Sequence, residues 1–230
     1  TQHRVITLDL PGFGLTGPFA GQYTPDDYRG DTYARFVIDL LDVLKLQRVV
    51  LGGNSLGGEI AWRVATLAPG RVERLILVDA GGPDFASESQ PIGFLIAGLP
   101  VLGWLSEQVL PRALVTQGIV NVYVDPKKVT AEVVDRYFEL TLREGNRRAL
   151  GLRRKQAVRG QDFERARTIK LPTLLIWGGQ DRLIPPAVAQ TFLKTIEGSQ
   201  LVTFLDLGHV PQEEDPVRTV VPVKTFLDLR

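Results

Sequence analysis

Ser55 lies in GGNSLGG (52–58), directly after the apolar run VVL at 49–51. A serine enclosed by glycines has two readings. The glycines can simply turn the chain between a strand and a helix, or the turn can exist to hold the hydroxyl in a reactive position. Gly53-Asn54-Ser55-Leu56-Gly57 fits G-x-S-x-G, with a strand pattern before it and a helical pattern after it. In that context the small residues let strand and helix approach, and the serine takes a strained backbone conformation. Its hydroxyl then projects above a sheet, at the positive end of a helix.

A serine hydroxyl needs a base before it can act as a nucleophile. The chain has two histidines. His3 precedes the first apolar segment. His209 lies in DLGHVPQEEDP, just after the apolar run 200–206, where catalytic groups of a parallel sheet gather. The imidazole in turn needs an orienting carboxylate. Asp181, in WGGQDRLIP, and Asp79, in LVDAGG, both follow apolar runs. Asp181 also has a plain structural reading, as an Asx turn or helix cap.

A regular frame has to position these groups. RVITLDL (4–10) alternates and predicts a strand, and PGFGLTGPFAG (11–21) is a loop by its Gly and Pro content. Residues 31–46 place apolar side chains at helical spacing. RVVLGG (48–53) predicts a strand, residues 56–69 a helix ended by Pro69, and RLILVDA (74–80) another strand. From 83 to 168 no strand pattern is present, and helical segments are broken by Pro and Gly. Alternation then resumes with a strand at 171–178, a helix at 186–196, a strand at 200–206 and a last helix over 214–229. Uniformly apolar strands separated by helices imply an α/β class with a mostly parallel sheet covered on both faces. The middle stretch reads as an insertion between two strands.

Composition narrows the chemistry. At 44% hydrophobic and 23% charged residues the chain is an ordinary globular one. A net charge of +1 gives no global field for nucleic acid or an anionic membrane. The absence of cysteine rules out a disulfide framework, a thiol nucleophile and a thiolate metal site. No cofactor is implied. The uncharged stretch 89–106 contains two prolines and three glycines. It reads as a buried or lid helix, because a membrane span needs about 20 mainly apolar residues. The arginines between 143 and 167 read as the solvated face of helices, since nucleic-acid binding would call for aromatic interleaving or a recognised module. A second reading turns one of them into the pocket to meet a substrate carboxylate. The chain holds no methionine and starts almost inside a strand pattern, so a segment N-terminal to Thr1 is expected in the functional protein.

In DLPGFGLTGP, GNSLGG, LILVDAGG, LLIWGGQDRLIP and GHVPQEEDP the chain resembles the α/β-hydrolase family. The resemblance implies a hydrolase core over 1–82 and 169–230, with 83–168 as a helical cap above the active site. It favours Asp181 over Asp79 as the acid, and the order Ser55, Asp181, His209 is the order it leads one to expect. It also makes the backbone N–H of Leu56 one oxyanion donor. The family's HG-type loop, which supplies the second donor, belongs before residues 4–10 and is not in this sequence. Asn54, Phe94, Leu95, Trp104 and Val210 are the expected pocket residues.

The nucleophile type bounds the reaction. Epoxide hydrolases and haloalkane dehalogenases of this fold use a carboxylate where Ser55 stands. Serine suits acyl transfer, and a carboxylic ester with an apolar acyl part is the expected small-molecule substrate. The elbow also resembles that of carbon–carbon hydrolases acting on ring-cleavage products, although those carry Trp after the histidine, where Val210 stands here. A protein of this fold that binds a ligand without turning it over is the reading from another class.

Overall fold

The computed structural model describes residues 3–92 and 108–228. Strands β1 (Val49–Asn54), β2 (Val72–Val78), β3 (Thr173–Gly178) and β4 (Gln200–Phe204) form one parallel sheet in that spatial order. Alternate side chains point to opposite faces. Leu75, Leu77, Leu175 and Trp177 pack on one side against α1 (Gly30–Val43), α2 (Leu56–Leu67) and α6 (Ala187–Thr195). Ile76, Leu174 and Ile176 face the other way, onto Phe226 of α8 (Pro216–Phe226). Covering both faces explains why β3 is buried at every position and why its sequence lacks polar alternation.

The helices follow from their apolar spacing. In α1, Tyr33, Ala34, Val37 and Leu41 form the buried stripe. The chain leaves α1 through Leu44 and Lys45, the latter at φ 56. Between β2 and β3 the described residues contain α3 (Arg112–Val122), α4 (Ala131–Leu142) and α5 (Asn146–Gln156), and no strand. Among the described residues no helix is long and apolar enough to cross a membrane.

Two expectations are corrected. Residues 4–10 form no ladder, and Val5 is 80% exposed. Alternation supplies strand propensity, but a strand also needs a neighbour; among the described residues β1 pairs with β2 alone. The final helix, expected from 214, starts at Pro216 instead, because Asp215 caps it by accepting the Arg218 N–H at 3.0 Å, and a separate short turn, α7 (Pro211–Glu214), precedes it. Pro216 then fits the first turn, where no N–H is needed.

Because the sheet is parallel, all strands present their carboxyl ends at one edge. Ser55 follows β1, Asp79 follows β2, Asp181 lies just beyond β3 and His209 just beyond β4.

Candidate active site

Ser55 occupies φ 54, ψ −114, a conformation that non-glycine residues rarely adopt. Neighbouring backbone holds it there. Its N–H donates to Val78 O at 2.9 Å, and its carbonyl accepts from Glu59 N–H at 3.0 Å and Gly81 N–H at 3.1 Å. The flanking glycines are set by close approach. A Cβ on Gly53 would sit 2.3 Å from the Gly57 carbonyl carbon, and one on Gly58 would sit 2.5 Å from Ala80 Cβ. The turn therefore presses strand closely against helix, with Ser55 at the junction. Leu56 is the first residue of α2, so its N–H has no intrahelical acceptor and lies at the positive helix end.

His209 and Asp181 are both buried, and Nδ1 of His209 donates to Asp181 Oδ2 at 2.7 Å. This bond leaves Nε2 as the basic nitrogen of the neutral ring. Asp181 is fixed by a second set of donors, since its Oδ1 accepts Leu183 N–H at 2.8 Å and Ile184 N–H at 2.9 Å. Asp181 thus makes the Asx turn and holds the histidine as well. Asp79 is fully buried nearby, but its hydrogen bond comes from Gly178 N–H at 2.9 Å, not from His209. Burial, and then the neighbouring Asp181, push the Asp79 carboxyl well above the usual carboxylate range. His3 is exposed and lines a separate groove with Val49 and Val50.

Ser55 and His209 line the same cavity, of about 340 Å³. No hydrogen bond joins Ser55 Oγ to the imidazole among the described residues, and such bonds commonly tighten only with substrate bound. Leu114, Val115, Ile119 and Val122 of α3 form one apolar wall, while Leu150, Leu183 and Val210 contribute others. Tyr137, Thr141 and Arg147 also line it. Of the expected pocket residues, Asn54 and Val210 are in it; Phe94, Leu95 and Trp104 lie outside the described residues.

Several positioning contacts carry no plain sequence signal. Asn54 Nδ2 donates to the His209 carbonyl at 2.9 Å and to Val78 O at 3.2 Å, tying the elbow to the histidine loop. His209 N–H donates to Val122 O at 2.9 Å. Glu214, buried, accepts Gly208 N–H at 2.6 Å on one oxygen and Val124 N–H at 2.8 Å on the other. Glu213 accepts from the hydroxyls of Tyr123 and Tyr137 at 2.9 and 2.8 Å. The acidic pair in QEEDP therefore fastens the histidine loop to the helical insertion. Its place in that stretch was visible; its partners, some 75 to 90 residues away, were not.

The arginine-rich stretch is not simply a solvated face. Arg153 pairs with Glu59 of α2, and Arg165 with Asp31 of α1 at 3.0 Å. Arg63, buried, bonds Asp31 and Glu59 at 2.7 and 3.0 Å. The Arg153 and Arg165 pairs tie the segment between β2 and β3 to α2 and α1, while Arg63 ties α2 to α1. Asp79, Asp181 and His209 offer ligand atoms within 4.8 Å of one another. Within this set both Asp181 oxygens accept N–H donors, one of them the His209 Nδ1–H.

A family model described as alpha/beta hydrolase fold matches residues 1–216. An uncharacterised protein of Mycobacterium tuberculosis is 34% identical over 238 residues, covering 97% of this chain and 67% of that one. A 2-hydroxy-6-oxononadienedioate/2-hydroxy-6-oxononatrienedioate hydrolase of Pseudomonas putida is 31% identical over 219 residues, covering 92% of this chain and 72% of its own. Among solved structures, a meta-cleavage product hydrolase from Pseudomonas fluorescens superposes with a TM-score of 0.79 at 22% identity, covering 96% of this chain and 78% of that one.

Proposed function

The chain belongs to the alpha/beta hydrolase fold family and is a hydrolase, and from that premise we propose that Ser55, His209 and Asp181 form a catalytic triad for acyl transfer to water. The observation that carries this reading is the buried 2.7 Å bond between His209 Nδ1 and Asp181 Oδ2, in the cavity that Ser55 also lines. His209 Nε2 takes the Ser55 proton as the oxygen attacks a carbonyl carbon. Asp181 holds the tautomer and stabilises the imidazolium. The Leu56 N–H donates to the developing oxyanion. The protonated His209 then delivers its proton to the leaving group, and water releases the acyl group by the reverse sequence. The insertion between β2 and β3 acts as a cap whose α3 face meets the substrate.

For the bond cleaved, we favour the carbon–carbon bond of a vinylogous diketone acid. Relatives covering over two thirds of their own length are named for such substrates. The apolar walls suit the conjugated chain, and an arginine among the lining residues, Arg147, suits a carboxylate. An ester is the second reading, favoured by Val210 in the place after the histidine. The test is turnover of a 2-hydroxy-6-oxo-dienoate beside p-nitrophenyl esters of increasing chain length. Higher kcat/KM on the dienoate supports the first reading and higher kcat/KM on an ester the second. No turnover of either, or equal turnover by Ser55→Ala, overturns the triad.

A further inference from the structure

Beside the proposed acid stands a second carboxyl that the mechanism leaves unused. Asp79 follows β2 at φ 43 and is 0% exposed. One of its oxygens accepts the Gly178 N–H, while the other, Oδ2, is buried without a hydrogen-bond partner. A carboxylate oxygen of Asp79, one of Asp181 and a ring nitrogen of His209 lie within 4.8 Å of one another. The charged and titratable groups that face Asp79 are Asp181, Glu214 and His209. Among the described residues no lysine or arginine pairs with it.

Two bare carboxylates at this separation, out of water, repel too strongly to be ionised together. One proton must stay on the pair. Asp181 accepts three N–H bonds and Asp79 accepts one, so the negative charge is better held on Asp181. The proton then belongs on Asp79, at the oxygen that lacks a partner, and the neighbouring acceptor is Asp181. We propose that Asp79 is a neutral carboxylic acid whose Oδ2–H donates to Asp181, making it a positioning residue that sets the basicity of His209 through the acid. The proposal rests on the triad reading above. Its consequence is physical: an O–H donor withdraws charge from Asp181, so a charged imidazolium is held less tightly than beside a bare carboxylate.

The pH dependence of kcat/KM tests this, because the alternatives differ in sign. Asp79→Asn keeps an N–H donor toward Asp181 and an acceptor for Gly178, so the acid limb stays in place. Asp79→Leu removes the donor, so the limb moves to higher pH by about one unit, a loss of about tenfold on its acid side. Were Asp79 an anion, removing its charge would move the limb to lower pH in both variants, and that result overturns the proposal. If Asp79→Leu does not fold, infrared difference spectra of wild type and Asp79→Asn decide. A protonated-carboxyl band at neutral pH that the variant lacks supports the proposal, and no such band refutes it. A wild-type profile with no acid limb would instead strike at the triad itself.

Discussion

Glu214→Ala removes the group that joins the histidine loop to the insertion. The carboxylate is 5% exposed, and each oxygen accepts one backbone N–H, from Gly208 and Val124. Truncation leaves two donors without a protein partner. At about 1–3 kcal/mol per buried unsatisfied group, the loss is about 2–6 kcal/mol. That is a large share of a domain stability of about 5–15 kcal/mol. Glu214→Gln keeps one acceptor and turns an amide N–H toward the other donor, so it loses about half as much. Urea denaturation, read as a shift in midpoint at constant slope, measures both. Gly208 adjoins His209, so kcat should fall further than KM rises in whichever variant still folds. A Glu214→Ala protein within about 1 kcal/mol of wild type would refute the reasoning, because it would mean that these N–H groups reach other partners.

The acid assignment separates by kinetics: Asp181→Asn should lower kcat by about 10⁴-fold, the scale of the analogous change in serine proteases, while Asp79→Asn stays within about tenfold of wild type. Thermal unfolding against pH checks the state of Asp79. Its carboxyl is raised in the folded protein, first by burial and then by Asp181, so it costs nothing below about pH 4 and destabilises the fold as pH rises from there toward its folded value. Asp79→Asn should gain stability over wild type across that window, by up to about 1.4 kcal/mol per pH unit, and a constant difference would contradict this. Gly53→Ala should fail to give soluble active protein, since its Cβ would meet Gly57 backbone at 2.3 Å; normal activity would show that the elbow can relax. Leu114→Ala should enlarge the cavity beside α3 and shift preference toward bulkier acyl groups, measured as kcat/KM ratios across an ester series, whereas equal losses on all substrates would assign α3 a structural role only.

The elbow was legible in the sequence because its constraint is local. Gly53 meets Gly57 and Gly58, and Gly58 meets Ala80 just after β2, so only small residues fit. The strand–helix frame was legible because burial on both faces writes an apolar run wherever a central strand lies. His209 stood out through scarcity, and Asp181 through a loop that the resemblance could place. Contacts between distant segments were not legible. Asn54 meets a carbonyl 155 residues away, Glu214 meets Val124 across 90, and Asp79 lies beside Asp181 because β2 and β3 are neighbours. Residues 4–10 mark the opposite error. Their alternation is real, but pairing is a tertiary property, and among the described residues the ladder ends at β1.

In the proposed triad Ser55 is a nucleophile activated by His209. A fluorophosphonate probe followed by peptide mass mapping tests it most directly. One adduct per chain is expected, on the peptide containing Ser55, absent in Ser55→Ala and formed far more slowly in His209→Ala. No adduct on the folded protein, or equal labelling of Ser55→Ala, would contradict it.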